Sequence, residues 1–143
     1  MKKLMKMKKN QKGFTLVEVI VVLVILAIMA AILIPSLIGY IDKSRENSIV
    51  SETRSVVTAV QTLASEKYAK EKDTSTTTYT LSATDGDDVI LYDDVEELCE
   101  LTINNTTVTT CTITGGKITK LVYVSGDKTC TYDPDASEHY VVA

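Results

Sequence analysis

An unbroken apolar run over residues 19–34 constrains this chain more than any other feature. From residue 14 to residue 41 the only charged side chain is Glu18. A helix of ~20 mostly apolar residues is long enough to cross the hydrocarbon core of a bilayer. The remaining residues are too polar to enclose such a segment as a buried core helix. Residues 14–41 are therefore predicted to span a membrane.

The charge of the chain is unevenly distributed. The formal net charge is -4, but the first thirteen residues hold six lysines and no acid, which leaves nine basic residues against nineteen acidic ones in the rest. Lysines that border a membrane segment hold that end of the chain in the cytoplasm. We therefore expect residues 1–13 to lie inside the cell and the acidic part outside it, and we expect no nucleic-acid binding.

Beyond Asp42 the sequence becomes polar but keeps a helical period. Apolar residues and one threonine recur at three- and four-residue steps, which predicts an amphipathic helix over 42–72. Its predicted buried stripe is Ile49, Thr53, Val56, Val60 and Leu63, flanked by Val50, Val57 and Ala64. No strong breaker follows Gly39, so the two segments are predicted to join into one helix of ~58 residues, ~87 Å long.

Short β-type runs follow, separated by turn residues. Strands are predicted over 76–81, 89–92, 106–113, 117–124 and 129–132, with a helical turn over 94–98. Gly115-Gly116 and Ser125-Gly126-Asp127-Lys128 are typical of hairpin turns. The predicted fold is α+β, with a globular head over 42–143 in which the second half of the helix packs on an antiparallel sheet over 76–132.

Three cysteines lie in the part expected outside the cell, where disulfides form: Cys99, Cys111 and Cys130. In a simple meander Cys111 lies opposite Lys120 and Cys130 opposite Tyr123. Those two cysteines then flank the middle strand and are too far apart to bond. A Cys99–Cys111 disulfide across the Asn104-Asn105 turn is slightly preferred.

Catalysis and metal binding find little support in the sequence. His139 is the only histidine, and there is no G-x-S-x-G, H-E-x-x-H or phosphate-binding glycine loop. A zinc site from the three cysteines and His139 is disfavoured because the spacings are long. Asp85-Gly86-Asp87-Asp88 lacks the ligand spacing of a calcium loop and is predicted to be a solvated turn. We expect no enzyme activity, no cofactor and no metal, while the overlapping sequons in Asn104-Asn105-Thr106-Thr107 leave glycosylation open.

The segment Lys12-Gly13-Phe14-Thr15-Leu16-Val17-Glu18 runs directly into the apolar stretch. An ordinary secretory signal is cut after its apolar region, but no A-x-A-like site follows this one. A cut after Gly13 would remove only the basic leader and create an α-amino group at Phe14, one turn from Glu18. A carboxylate in a membrane helix costs ~2.5–3.5 kcal/mol. Glu18 is thus expected to pair with that amine, in its own chain or in a neighbour, unless it lies at the headgroup boundary.

These residues resemble the N-terminus of type IV pilins and pseudopilins. Members share a short basic leader ending in glycine, then Phe-Thr-Leu-x-Glu, then a long apolar helix. The resemblance is specific over residues 8–41 and architectural beyond. It implies that a prepilin peptidase cuts between Gly13 and Phe14 and N-methylates Phe14. It also implies that Glu18 meets the Phe14 amine of an adjacent subunit and that the helix breaks or loosens at Pro35 and Gly39.

The function implied by this resemblance is structural. The precursor would wait in the cytoplasmic membrane until an assembly platform and motor polymerise it into a helical surface filament, used for adhesion or motility. The alternative in the same family is a pseudopilin of a type II secretion or DNA-uptake machine. A monomeric membrane-tethered binding protein is a third hypothesis, which predicts an uncleaved leader and no need for Glu18.

Overall fold

The computed structural model describes residues 13–70 and 78–143. Residues 1–12 of the predicted leader lie outside the described residues. So do the predicted end of the helix near residue 72 and the start of the first predicted strand at residues 76 and 77. Within the described ranges one long helix is followed by strands and a second short helix, which confirms the predicted α+β fold.

Helix α1 spans Leu16–Lys70, 55 residues. Its first part is apolar on all sides, and from Asp42 onward it is amphipathic. The structure shows no break at Pro35 or Gly39, since α1 runs through both. Proline removes the hydrogen bond to the carbonyl of Ala31, four residues earlier, but the bonds of the adjacent turns hold an apolar helix together around such a gap.

The chain divides into two compact units, one ending at Ile41 and the other beginning at Asp42. In the first unit the described residues are mainly helix, and their large apolar side chains are exposed. By length and composition this part of α1 could cross a membrane, and none of its most apolar stretch is buried within the chain. We call residues 42–143 the head.

The head contains a six-stranded sheet in the order β2-β1-β3-β4-β5-β6. Its elements are β1 (Thr78–Ser82), β2 (Val89–Leu91), α2 (Tyr92–Cys99), β3 (Val108–Thr114), β4 (Lys117–Ser125), β5 (Lys128–Tyr132) and β6 (Tyr140–Val142). The predicted meander of β3, β4 and β5 is confirmed by the antiparallel pairing of β3 with β4 and of β4 with β5. Strand β6 was not predicted.

Strands β1 and β2 pair in parallel, which differs from the fully antiparallel sheet expected from the sequence. The loop between them is held against α1 by Lys67, whose Nζ donates to the carbonyl oxygens of Gly86 at 3.2 Å and Val89 at 2.6 Å. After this loop β2 runs in the same direction as β1, and Val89 lies beside Thr80 in the middle of β1. The two strands are therefore not joined by a tight hairpin turn.

The core of the head lies between α1 and the inner face of the sheet. Ile49, Thr53, Val56 and Val60 of the predicted stripe are buried as expected, while Leu63 is half-buried and Ala59, which was not predicted, is buried. They pack against side chains of the sheet that include Tyr79, Ile113, Ile118, Leu121, Tyr123 and Cys130. The buried hydroxyl of Thr53 donates to the Ile49 carbonyl at 2.7 Å, so its polar atom is satisfied within the helix.

Directional contacts also fasten the sheet to α1. The Gln61 side-chain amide donates to the Gly116 carbonyl at 2.6 Å and accepts from the Ile118 N–H at 3.1 Å. The guanidinium carbon of Arg54 lies 5.0 Å from the ring centroid of Tyr140, a cation–π contact. Tyr140 also lies 5.0 Å from the ring of Tyr132. These contacts hold β4 and the short strand β6 in place.

A register shift corrects the predicted position of Cys111. It pairs with Leu121, not Lys120, because the β3–β4 ladder shifts between Thr112 and Ile113 and leaves Thr119 as an extra residue in β4. Cys130 pairs with Tyr123, as expected.

The β3–β4 turn provides a matched test of the packing of the head. Gly115 and Gly116 both have positive φ, +58° and +72°, as a two-residue hairpin turn requires. A Cβ on Gly116 would lie 2.8 Å from Cγ of Tyr68, whereas a Cβ on Gly115 meets nothing within 4 Å. Gly116→Ala should therefore destabilise the head by about 1–3 kcal/mol more than Gly115→Ala, because overpacking adds to the shared backbone strain.

Thermal unfolding of the detergent-solubilised full chain measures this difference. Gly115→Ala is the control for backbone strain alone. Equal unfolding temperatures for the two variants would contradict the packing of Tyr68 against the turn.

Candidate functional site

Gly13 and Phe14 lie just before the start of α1. The Phe14 side chain is 82% exposed. A Cβ built on Gly13 meets no described atom within 4 Å, and the φ of Gly13 is not in the left-handed region. The described fold therefore does not require glycine at this position. A requirement for glycine here would come from something that binds the chain.

Thr15 and Glu18 form a reciprocal capping box at the start of α1. The Glu18 N–H donates to Thr15 Oγ1 at 3.2 Å, and Glu18 Oε2 accepts from the Thr15 N–H at 3.4 Å. Thr15 Oγ1 also donates to Oε2 at 3.4 Å. This is the pattern T-x-x-E, in which the residue before the helix and the third residue of the helix each accept a hydrogen bond from the free backbone N–H of the other. The spacing is visible in the sequence, although Thr15 was not recognised as part of the site.

The cap places the only acid of the apolar segment at the positive end of the helix dipole. Glu18 lies in the first turn of α1, where the positive end of the helix dipole favours a carboxylate. An apolar concavity of about 280 Å³ lies beside it, lined by Phe14, Val19, Val22 and Leu23 together with Glu18. The exposed carboxylate is thus held by its own helix terminus, and apolar side chains lie beside it.

Pro35 and Gly39 lie further along the same apolar part of α1 and are separated from Glu18 by several helical turns. A Cβ on Gly39 meets nothing described within 4 Å. Packing within the described chain therefore gives no reason for glycine at this position.

The three cysteines do not form the expected Cys99–Cys111 disulfide in the structure. Cys99, Cys111 and Cys130 all carry free thiols, with Cys130 buried and the other two half-buried. Burial raises the pKa of the Cys111 thiol to about 12 and also raises the pKa of Cys99. Both thiols are therefore protonated at neutral pH, which is the unreactive form.

The loop before β3 uses its sequon residues for its own structure. Asn104 Oδ1 accepts from the N–H groups of Thr106 at 2.8 Å and Thr107 at 3.0 Å, and from the Thr106 hydroxyl at 2.5 Å. Thr107 Oγ1 in turn accepts from the Asn104 N–H at 2.9 Å. The first of the two overlapping sequons therefore has both Asn104 and Thr106 engaged in the turn, and the second has Thr107 engaged.

The Asp85-Gly86-Asp87-Asp88 segment forms part of the loop that Lys67 holds. Asp85 Oδ1 accepts from the Gly86 N–H at 2.9 Å, and all four residues are exposed. Of the sequence candidates, the structure brings Gly13, Phe14 and Glu18 together at one helix start, with Thr15 added to them.

This arrangement defines a class of protein: a chain with an exposed apolar helix, a capped acid in its first turn and a mixed α/β head. The family described as the prokaryotic N-terminal methylation motif matches residues 8–34, a range that contains Gly13, Phe14 and Glu18. Through this N-terminal segment the chain is similar to the type IV pilin family.

The curated relatives point to the same family. The chain is 45% identical over 56 residues to a type IV major fimbrial protein FimA of Dichelobacter nodosus. The matched segment covers 39% of this chain and 36% of the relative. A second FimA of that organism is 46% identical over 56 residues, with the same coverage of 39% and 36%. The chain thus spans little more than a third of the length of these relatives. No solved structure was found to match it.

The thiol of Cys111 and the phenol of Tyr123 predict how the stability of the head depends on pH. Burial raises the pKa of Cys111 from 9.0 to about 12. Burial and the nearby Glu52 carboxylate raise the pKa of Tyr123 from 10.0 to about 12. The unfolded chain therefore releases these protons at lower pH than the folded chain. The unfolding free energy should be fully retained below about pH 9 and should fall as the pH rises from about 9 to about 12.

Chemical denaturation of the full chain in detergent at several pH values checks this. Cys111→Ala should weaken the part of the decline that begins near pH 9, to which Cys99 also contributes, and keep the part that Tyr123 produces above pH 10. An identical pH profile in Cys111→Ala and the unaltered chain would show that the Cys111 thiol is not shielded from water.

Proposed function

We propose that this chain is a subunit of a type IV pilus that is processed in the membrane and polymerises through its N-terminal helix. The observation that carries the proposal is the exposed apolar part of α1, which begins with a capped acid and finds no partner among the described residues of the chain. The methylation-motif match and the similarity to FimA support it.

The first step of the proposed mechanism is cleavage between Gly13 and Phe14 by a prepilin peptidase, followed by N-methylation of Phe14. Cleavage there removes six lysines and keeps the apolar helix. Loss of the basic leader releases the N-terminus from its cytoplasmic anchor. The new α-amino group is the one cation created next to the apolar run.

In the second step Glu18 exchanges partners. In the membrane-held subunit its carboxylate accepts from Thr15, and both of the contacts to Oε2 measure 3.4 Å, which is long for a hydrogen bond. A methylammonium group on a neighbour's Phe14 offers a shorter, charge-assisted bond. Pairing with that group fixes the axial register of adjacent subunits.

In the third step an assembly platform and motor lift the subunits out of the membrane, and their apolar helices pack against each other instead of lipid. A heterologous contact that does not close on itself yields an open helical filament. We propose that α1, continuous here, loosens at Pro35 and Gly39 in the filament. The carbonyl of Ala31 lacks a hydrogen bond there, and glycine weakens the next turn.

A pseudopilin of a secretion or DNA-uptake machine is the alternative within the family, since it would carry the same processed N-terminus. The two functions differ in where the polymer accumulates. Sheared surface filaments that contain this chain would establish the pilus subunit, whereas short polymers confined to the cell envelope would establish the pseudopilin.

Glu18→Ala should leave processing largely intact and reduce the yield of filaments at least tenfold, because the register-setting charge pair is lost. The measurement is the amount of chain in sheared surface filaments compared with mature chain in the membrane. Thr15→Val is the matched control, since it removes the cap hydroxyl and keeps the carboxylate. It should retain most of the filament yield. An equal defect in both variants would mean that Glu18 acts only as a helix cap.

Gly13→Val should leave an uncleaved precursor in the membrane, because a β-branched side chain at the cut would block the peptidase. Gly39→Val makes the same substitution within α1 and should be cleaved normally. Mass spectrometry of the N-terminus measures the outcome, with N-methylated phenylalanine expected for the unaltered chain. A mature-size product from Gly13→Val would contradict the proposed site, and a retained leader in the unaltered chain would overturn the proposed processing.

A further inference from the structure

The acidic residues of the head are densest in the segment that contains α2. Residues 84–101 hold eight acids and no base. Within this segment Asp94, Glu97 and Leu98 share the exposed side of α2, because residues three and four positions apart lie on one face of a helix. The opposite side of α2 buries Val95 in the core. We call the exposed side, defined by Asp94, Glu97 and Leu98, the acidic helix face.

The outer side of the sheet has the opposite character. Thr110, Val122, Thr131 and Val141 lie side by side across β3, β4, β5 and β6, on the side of the sheet that faces away from α1. They present methyl groups and hydroxyls over three strand spacings, about 14 Å. Lys120 lies two residues before Val122 on the same side and is exposed. It forms no ion pair with any described residue. We call this surface the outer sheet face.

The two surfaces share one further property. Among the described residues of the head, the large apolar side chains that stay exposed are Leu98 and Val141, at 52% and 48%. Leu98 lies on the acidic helix face and Val141 on the outer sheet face. Each surface therefore combines one exposed apolar anchor with charge of one sign, negative on α2 and positive at Lys120.

From this complementarity we infer that the acidic helix face of one copy docks on the outer sheet face of a second copy. The inference rests on the proposed function, since it requires copies of the chain to be held together. In the contact Leu98 packs on the methyl groups of Val122 and Val141, and the carboxylate of Glu97 or Asp94 pairs with the Lys120 ammonium.

A second copy fits the outer sheet face better than a different protein because the chain itself carries the complementary surface. The two surfaces are different patches of the head, so the contact is heterologous and does not close into a dimer. It can repeat from copy to copy along an assembly. An exposed ion pair contributes little alone, but the same pair recurs at every subunit of a polymer.

A charge exchange in the full-length chain tests the contact. Lys120→Glu and Glu97→Lys should each lower the yield of sheared filaments several-fold, because each places like charges opposite each other. The double variant Lys120→Glu with Glu97→Lys should restore at least half of the yield. Asp127→Lys changes an exposed acid of the β4–β5 turn, outside both surfaces, and should leave the yield unchanged.

A photoreactive amino acid in place of Leu98 locates the partner independently of filament yield. Irradiation of filaments should produce a crosslinked dimer whose junction lies within residues 110–112, 120–124, 129–131 or 140–142 of the second copy. Full filament yield in both single variants, or no rescue by the double variant, would overturn the inference. So would crosslinks to other residues or to another protein. Absence of filaments from the unaltered chain would instead refute the proposed function, so the two failures are distinguishable.

Discussion

The apolar side chains at the start of α1 impose the constraint on which the rest of the molecule depends. They remain exposed along the described helix, and none of the most apolar stretch is buried within the chain. Removal of apolar surface from water is worth ~25 cal/mol per Å², so a surface of this size does not remain in water. Lipid would remove this surface from water, and so would other copies of the same helix in the proposed filament. A chain that moves from lipid into the proposed filament exchanges one apolar environment for another. The register between neighbouring copies therefore has to come from polar groups.

In the proposed filament, Glu18 is the polar group that provides that register. The Thr15–Glu18 cap gives the carboxylate hydrogen-bond donors and a favourable helix dipole within its own chain. This lowers the cost of keeping the acid in an apolar surrounding before assembly. Because the cap is made of long, uncharged donor contacts, a cation can compete for the same oxygens. A stronger internal partner, such as a lysine one turn away, would have made that exchange unfavourable.

Local patterns of the sequence predicted the parts of the fold that depend on local physics. The helical period placed Ile49, Thr53, Val56 and Val60 in the core, and glycine pairs placed the β3–β4 turn. The parallel pairing of β2, the extra residue Thr119 and the strand β6 depend on how the strands pair with each other, so the sequence pattern of a single segment does not predict them. At the candidate site, the order of Gly13, Phe14 and Glu18 in the sequence predicted their roles, and those roles stay predictions. The role of Thr15 was encoded in the T-x-x-E spacing but became clear only from the hydrogen bonds.

Within the head, side chains of α1 hold the sheet and its loops through contacts to backbone atoms. Gln61 and Lys67 reach from the helix to backbone atoms of the sheet and its loops, namely the carbonyls of Gly116, Gly86 and Val89 and the N–H of Ile118. Backbone partners are present whatever side chain occupies those positions. Substitutions on the loops can therefore alter what the head displays without removing these ties. In the proposed filament the helix packs against its neighbours and the head is displayed, so the displayed surface could change while the packing surface stays constant.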